Sequence, residues 1–165
     1  MEKTFTVLND LVDGGIIGQY AVGGAMGAMF YAEPVSTFDL DIFVVLPRLT
    51  SGLITLTPLY EHLSRLGYIA DGECIIIEGV PVQFLPAYND LVEEGLKNAE
   101  LHAYGETSVP VLTAEYLTAI AIQTGREKDR IRVHMLRDEA GIDYLKLDDI
   151  LLRHSLKEKS LSWFG

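Results

Sequence analysis

Apolar residues recur at helical spacing over 3–13, where Phe5, Leu8, Leu11 and Val12 share one face, and Gly14-Gly15 ends the run. A short apolar stretch at 19–22 reads as a strand. Gly23-Gly24 follows, then a run of small residues that predicts a helix over 24–32. A second strand, 39–46, opens on Asp39-Leu40-Asp41 and continues Ile-Phe-Val-Val until Pro47, which has no N–H to give a ladder. Thr57-Pro58 starts a helix that runs to Leu66, with Gly67 as its cap. Runs 73–78 and 81–85 flank Gly79-Val80 as a hairpin. Its second arm puts Val82 and Phe84 on one face and Pro81, Gln83 and Leu85 on the other.

The later pattern is mostly helical. A helix over 89–98 begins at Asn89 or Asp90, and extended pieces follow near 100–104 and 109–112. Thr113 caps a helix with Leu117, Ile120 and Ala121 on one face. Gly125 separates it from a basic helix, 126–138, and Gly141 precedes a last helix, 143–156, with Leu145, Ile150, Leu151 and Leu152 apolar. The expected fold is α/β (α+β): a mixed sheet early, helices on its flanks, and a helical C-terminal portion. No stretch reads as a linker. The 165 residues are expected to form a single domain, with a core of about 18–137 and the C-terminal helix at about 143–156.

Within this pattern one segment carries chemistry. Side chains alternate along a strand, so Asp39 and Asp41 project from the same face, roughly 7 Å apart at Cα from a ~3.3 Å rise. Like charges that close need a compensating cation, and paired carboxylates are oxygen ligands that Mg²⁺ takes alongside phosphates. The Gly23-Gly24 turn lets backbone approach a ligand closely, and a helix starting there offers N–H groups to a phosphate.

Charge narrows the partners. Thirteen Lys and Arg against 24 Asp and Glu give a net charge of −11, which argues against broad electrostatic binding of nucleic acid. The exception is local: Arg126, Lys128, Arg130 and Arg132 form a basic stretch, but residues i and i+2 of a helix point apart, so the four cannot all face one ligand. The lone Cys74 lies in an apolar run and is expected to be a small buried hydrophobe. The four histidines show no metal-ligand spacing. Trp163 and Phe164 are expected to dock on the domain or on a second copy. With no apolar run of membrane-spanning length and no basic, then apolar, N-terminal pattern, a cytoplasmic protein is expected.

The stretch 20–45 resembles the nucleotidyltransferase fold superfamily: a Gly-Gly turn, a helix, then D-x-D on the next strand. The run Pro34, Ser36, Thr37, Asp39 is similar to the approach to those carboxylates, and the resemblance covers roughly 18–137. Within the superfamily the chain is most similar to the small stand-alone proteins grouped with AbiEii-type toxins. Their R-x-K-D signature is matched by Arg126, Lys128 and Asp129.

The resemblance implies a nucleotidyltransferase-like mixed sheet and transfer of a nucleoside monophosphate from an NTP to an acceptor hydroxyl, releasing pyrophosphate. The acceptor would be a protein, a tRNA end or a small molecule. It implies Mg²⁺ or Mn²⁺ on Asp39 and Asp41. The nucleotide would lie against Gly23, Gly24, Ser36, Thr37 and Lys128, with Lys128 as phosphate partner. Ser36 and Thr37 either donate to phosphate or make a local turn. Asp129 is expected to orient Lys128 or Arg132, or to cap a loop. A homodimer or a cognate antitoxin is the implied partner.

One departure stands out. The superfamily's third carboxylate falls on Gln83 here, and an amide is neither a charged ligand nor a general base. Either Glu73 or Glu78 substitutes from the neighbouring strand, or the chain is a degenerate nucleotide- or partner-binding protein of the same fold.

Overall fold

A computed structural model of the chain describes residues 1–33, 36, 37 and 39–164. The position of Pro34 in the motif therefore lies outside the described residues. In chain order the elements are α1 (Glu2–Asp13), β1 (Gln19–Val22), α2 (Gly24–Ala28), β2 (Leu40–Val45) and α3 (Thr57–Arg65). Then come β3 (Ile69–Asp71), β4 (Cys74–Ile77), β5 (Val80–Pro86), α4 (Asp90–Lys97), β6 (Glu100–Tyr104) and β7 (Thr107–Val111). Four helices close the chain: α5 (Ala114–Thr124), α6 (Glu127–Glu139), α7 (Tyr144–Arg153) and α8 (Lys157–Phe164).

The strands form one mixed sheet in the order β3-β4-β5-β2-β1-β7-β6. β2 lies antiparallel to β1 and parallel to β5, so Asp41 stands in register with Gln83. Alternation along β2 sorts the core into two layers. Leu40, Ile42 and Val44 face a layer that includes Phe5, Leu8 and Leu11 of α1 and Leu59 and Leu63 of α3. Phe43 faces the other layer, built on α4, α5, α7 and α8. The odd-numbered residues of β2, Asp41 among them, thus turn toward the later helices.

The structure departs from the sequence pattern at four places. The helix expected over 24–32 is only α2; glycine is a poor helix former, and the chain tightens after Ala28 through Phe30 N–H to Gly27 C=O and Tyr31 N–H to Ala28 C=O bonds. β3 was not foreseen, because Ile69, Ala70 and Asp71 are all exposed and show no alternation. α5 is buried from Ala114 to Ile122 on all sides rather than on one face, being enclosed by the sheet layer and its neighbouring helices. The helix expected over 143–156 is α7, which ends at Arg153, and a further helix, α8, follows beyond Ser155, whose φ of 57° breaks the helical path. Trp163 on α8 is buried in the helical layer, beneath the Arg130 guanidinium 4.7 Å from its ring centroid. No helix among the described residues is long and apolar enough to cross a membrane.

One ion cluster ties the helical layer together. Glu94 on α4 accepts both Arg153 amine groups at 2.7 Å, the Tyr116 hydroxyl at 2.6 Å, and pairs with His154 Nε2 at 2.9 Å. The Arg153 hydrogen bonds lead in holding the Glu94 carboxyl down, from its ordinary 4.5 to about 2. A depressed carboxyl stabilises the fold above its ordinary range and loses that contribution as pH falls through the depressed value. Glu94→Gln is therefore expected to lower the urea midpoint at pH 7 and to flatten its further fall between about pH 4.5 and 2.

Candidate active site

The site forms where the β1–α2 turn crosses the start of β2. Gly23 N–H donates to the Asp41 carbonyl at 2.9 Å, locking the turn against the strand. Both glycines are required by close approach. A Cβ on Gly23 would overlap the Phe43 ring, and one on Gly24, which sits at φ +57°, would lie on Asp41 Oδ2. Asp39 stands one residue ahead of the ladder, and the Thr37 hydroxyl donates to its carbonyl at 3.2 Å. The Thr37 hydroxyl thus has a local acceptor.

Asp39 and Asp41 open into a cavity of about 190 Å³ between the sheet and α5–α6. Its floor is apolar, with Phe43, Leu112, Leu117 and Ile120, and Tyr88 stands at its side. A second cavity, with Ser36, Thr37, Ile131 and Met135 in its lining, shares Asp39, Asp41, Lys128 and Arg132 with the first. The acid pair and these two cations therefore border both spaces. Burial, and then the Asp39 charge, push the Asp41 carboxyl above the usual carboxylate range; Arg132, Lys128 and Arg126 pull against that rise.

The basic stretch divides as helix geometry requires. Lys128 and Arg132, one turn apart on α6, line the cavities. Arg130 turns away to Trp163 and donates to the Ser162 carbonyl at 3.4 Å. Arg126 precedes the helix. Asp129, fully buried, accepts Arg126 N–H at 3.1 Å and Arg126 Nε at 2.8 Å, and Arg132 Nη1 at 2.9 Å. It caps the helix and orients Arg132; it does not join Asp39 and Asp41.

Gln83 occupies the place beside Asp41, and its amide donates to Glu73 Oε2 at 3.1 Å. Glu78 stays apart: it lies in the hairpin turn at φ +51° and accepts the Tyr68 hydroxyl at 2.9 Å. Cys74 is half-buried rather than buried. Burial leads in pushing its thiol up, with the charges of Asp39, Asp41, Asp71 and Glu73 adding to the rise. Sequence reasoning named Lys128 but not Arg126 and Arg132 as cations of the site. The i, i+4 spacing of Lys128 and Arg132 was the available signal.

A divalent cation suits the donor set. Among the described residues neither Asp39 nor Asp41 has a side-chain partner, and the pair is mutually repulsive. No group of three His, Cys, Asp or Glu side chains among them would hold a metal alone. The fit is to an ion such as Mg²⁺ that takes one or two carboxylates and completes its shell with phosphate oxygens and water.

No protein-family model and no curated protein matches the chain. Solved structures do. One is an antigenic nucleotidyltransferase-like protein from Paracoccidioides brasiliensis, with TM-score 0.56 and 14% identity over 97% of this chain and 90% of that one. Another is the antibiotic-resistance factor ANT(2'')-Ia, with TM-score 0.51 and 14% identity over 98% of this chain and 97% of that one. The fold is thus nucleotidyltransferase-like. At this identity the likeness speaks to the fold, and the site must be argued from its own residues.

Proposed function

We propose that the chain is a metal-dependent nucleotidyltransferase, which moves a nucleoside monophosphate from an NTP to an acceptor hydroxyl and releases pyrophosphate. The observation that carries this reading is the unpartnered Asp39–Asp41 pair facing Lys128 and Arg132 across one cavity, beside a turn that only glycine fits. A Mg²⁺ or Mn²⁺ ion on Asp39 and Asp41 would neutralise the triphosphate and hold the α-phosphate for in-line attack.

The chain's own groups do the rest. Lys128 and Arg132 bind phosphate oxygens, and Asp129 keeps the Arg132 guanidinium aimed. Gly23 and Gly24 let the polyphosphate lie close to the backbone. Phe43, Leu112, Leu117 and Ile120 offer the nucleoside an apolar bed. Ser36 borders the second cavity, where its hydroxyl can meet phosphate or acceptor. Among acceptors, a protein side chain or a small molecule suits a chain of net charge −11 better than a tRNA end. The kinship with AbiEii-type toxins belongs to this proposal as well, on the Arg126-Glu127-Lys128-Asp129 run.

A second reading is favoured by one observation: an amide stands at Gln83 beside Asp41. On that reading the chain binds nucleotide or a partner without turnover. Incubation with each α-labelled NTP and Mn²⁺, following pyrophosphate release and transferred label, separates the two. Turnover supports transfer; a raised melting temperature with no turnover supports binding alone. In the active case Lys128→Ala is expected to cut kcat/KM for the NTP by about 10²-fold, measured by the same pyrophosphate release.

A further inference from the structure

The sheet puts an amide where the superfamily resemblance puts a carboxylate, and the surroundings of Gln83 decide what that exchange does to the site. Gln83 lines the Asp39–Asp41 cavity, level with Asp41 on the adjacent parallel strand. Its amide brings no charge there, and one of its N–H groups is taken by Glu73 Oε2 at 3.1 Å. No other acid fills the place. Besides Asp39 and Asp41, the one carboxylate lining either cavity among the described residues is Asp129, which is held by Arg126 and Arg132. Glu73 and Glu78 line neither cavity, and Glu78 accepts the Tyr68 hydroxyl instead. No third His, Cys, Asp or Glu side chain among the described residues completes a metal-holding group with the pair.

Charge then limits what the pair can hold. Two-metal phosphoryl-transfer sites set two divalent ions roughly 3.5–4 Å apart, so four positive charges stand close together and need acids between and around them. Asp39 and Asp41 supply two negative charges. Arg126, Lys128 and Arg132 line the same cavity and already offset the charge on Asp41. One divalent ion balances the acid pair. A second would meet the positive α6 wall with no acid of its own.

We infer that the site takes one divalent ion rather than two, and that Gln83 sets this count. The inference rests on the transfer reading above and narrows it: the ion that arrives with the nucleotide is the chain's whole metal requirement. The acceptor hydroxyl binds without an ion of its own.

The test uses the full chain as wild type, Gln83→Glu and Gln83→Ala, each with the α,β-methylene analogues of the four NTPs, whose α–β link cannot be broken. Mn²⁺ is titrated into chain and analogue at equal concentrations. Calorimetry counts the ions held, and electron paramagnetic resonance tells an isolated ion from a spin-coupled pair. Wild type should hold one Mn²⁺ per chain with the spectrum of an isolated ion. Gln83→Glu puts a carboxylate beside Asp41 and should hold two, coupled. Gln83→Ala adds no charge and should stay at one. With cleavable NTP, wild-type pyrophosphate release should rise with Mn²⁺ at a Hill coefficient of about 1.

Two coupled ions in wild type overturn the inference and leave transfer intact. A single ion in Gln83→Glu, or any count but one in Gln83→Ala, overturns the role given to Gln83. One ion in wild type with no pyrophosphate release supports the count and overturns transfer alone. No Mn²⁺ held with any analogue overturns both readings together.

Discussion

Asp41→Asn is expected to abolish nucleotide transfer and, at neutral pH, to raise the melting temperature. The two effects have one cause. Asp41 is largely buried beside a second carboxylate, and both conditions push its carboxyl up. A group whose folded value is raised stabilises the fold below the ordinary carboxylate range and loses that contribution as pH rises through the raised value. At pH 7 the ionised Asp41 is therefore a cost to the fold, partly offset by Arg132, Lys128 and Arg126. Asparagine has nearly the same shape and no charge, so it removes the cost. It also removes half of the charge that holds a divalent ion, and transfer should fall on the order of 10³-fold. Thermal melts from pH 4 to 8 check the stability arm: wild type and variant should converge in acid and separate above it. A variant that melts lower than wild type at pH 7 would show that Asp41 is compensated by its surroundings, contrary to the geometry described.

Asp129→Ala is expected to do the opposite, destabilising the chain by about 3–5 kcal/mol. Asp129 is fully buried and holds three guanidinium contacts and a backbone N–H. Its removal strands Arg132, whose side chain is only 12% exposed, without a counter-charge, and leaves the first turn of α6 uncapped. Asp129→Asn should cost less, because the amide oxygen still accepts one bond. Urea unfolding measures both. The alanine loss should appear as a lower midpoint at unchanged slope. In Asp129→Asn, transfer should decline further than stability, because the Arg132 guanidinium no longer meets a charged oxygen that holds it toward the cavity.

What could be read from the sequence was local in origin. The Gly-Gly turn and the acids that follow depend on neighbours within a few residues, and strand alternation alone puts Asp41 opposite the buried Ile42. Gln83 was singled out by the resemblance; that it stands beside Asp41 depends on the parallel pairing of β2 with β5, which the hairpin pattern does not contain. What could not be read depends on contacts between distant segments. Nothing in Arg126-Glu127-Lys128-Asp129 says that Asp129 is buried while Arg126 stays half exposed; the packing of α6 against α5, α2 and α8 decides it. Glu73 looks like any turn carboxylate until Gln83, ten residues on, is seen to reach it. The divide at Ser155 hides because a serine at positive φ has no sequence mark of the kind glycine leaves.

The cavity is built like a charged capacitor. One plate is α6 and the residue before it, bearing Arg126, Lys128 and Arg132; the other is the mouth of β2, bearing Asp39 and Asp41. A bare triphosphate entering the gap would be welcomed by the first plate and repelled by the second, and a bare metal ion would meet the reverse. Only the two travelling together present the right sign to each wall. On the transfer reading proposed above, the architecture would thus set a condition on entry: neither guest would gain full hold without the other.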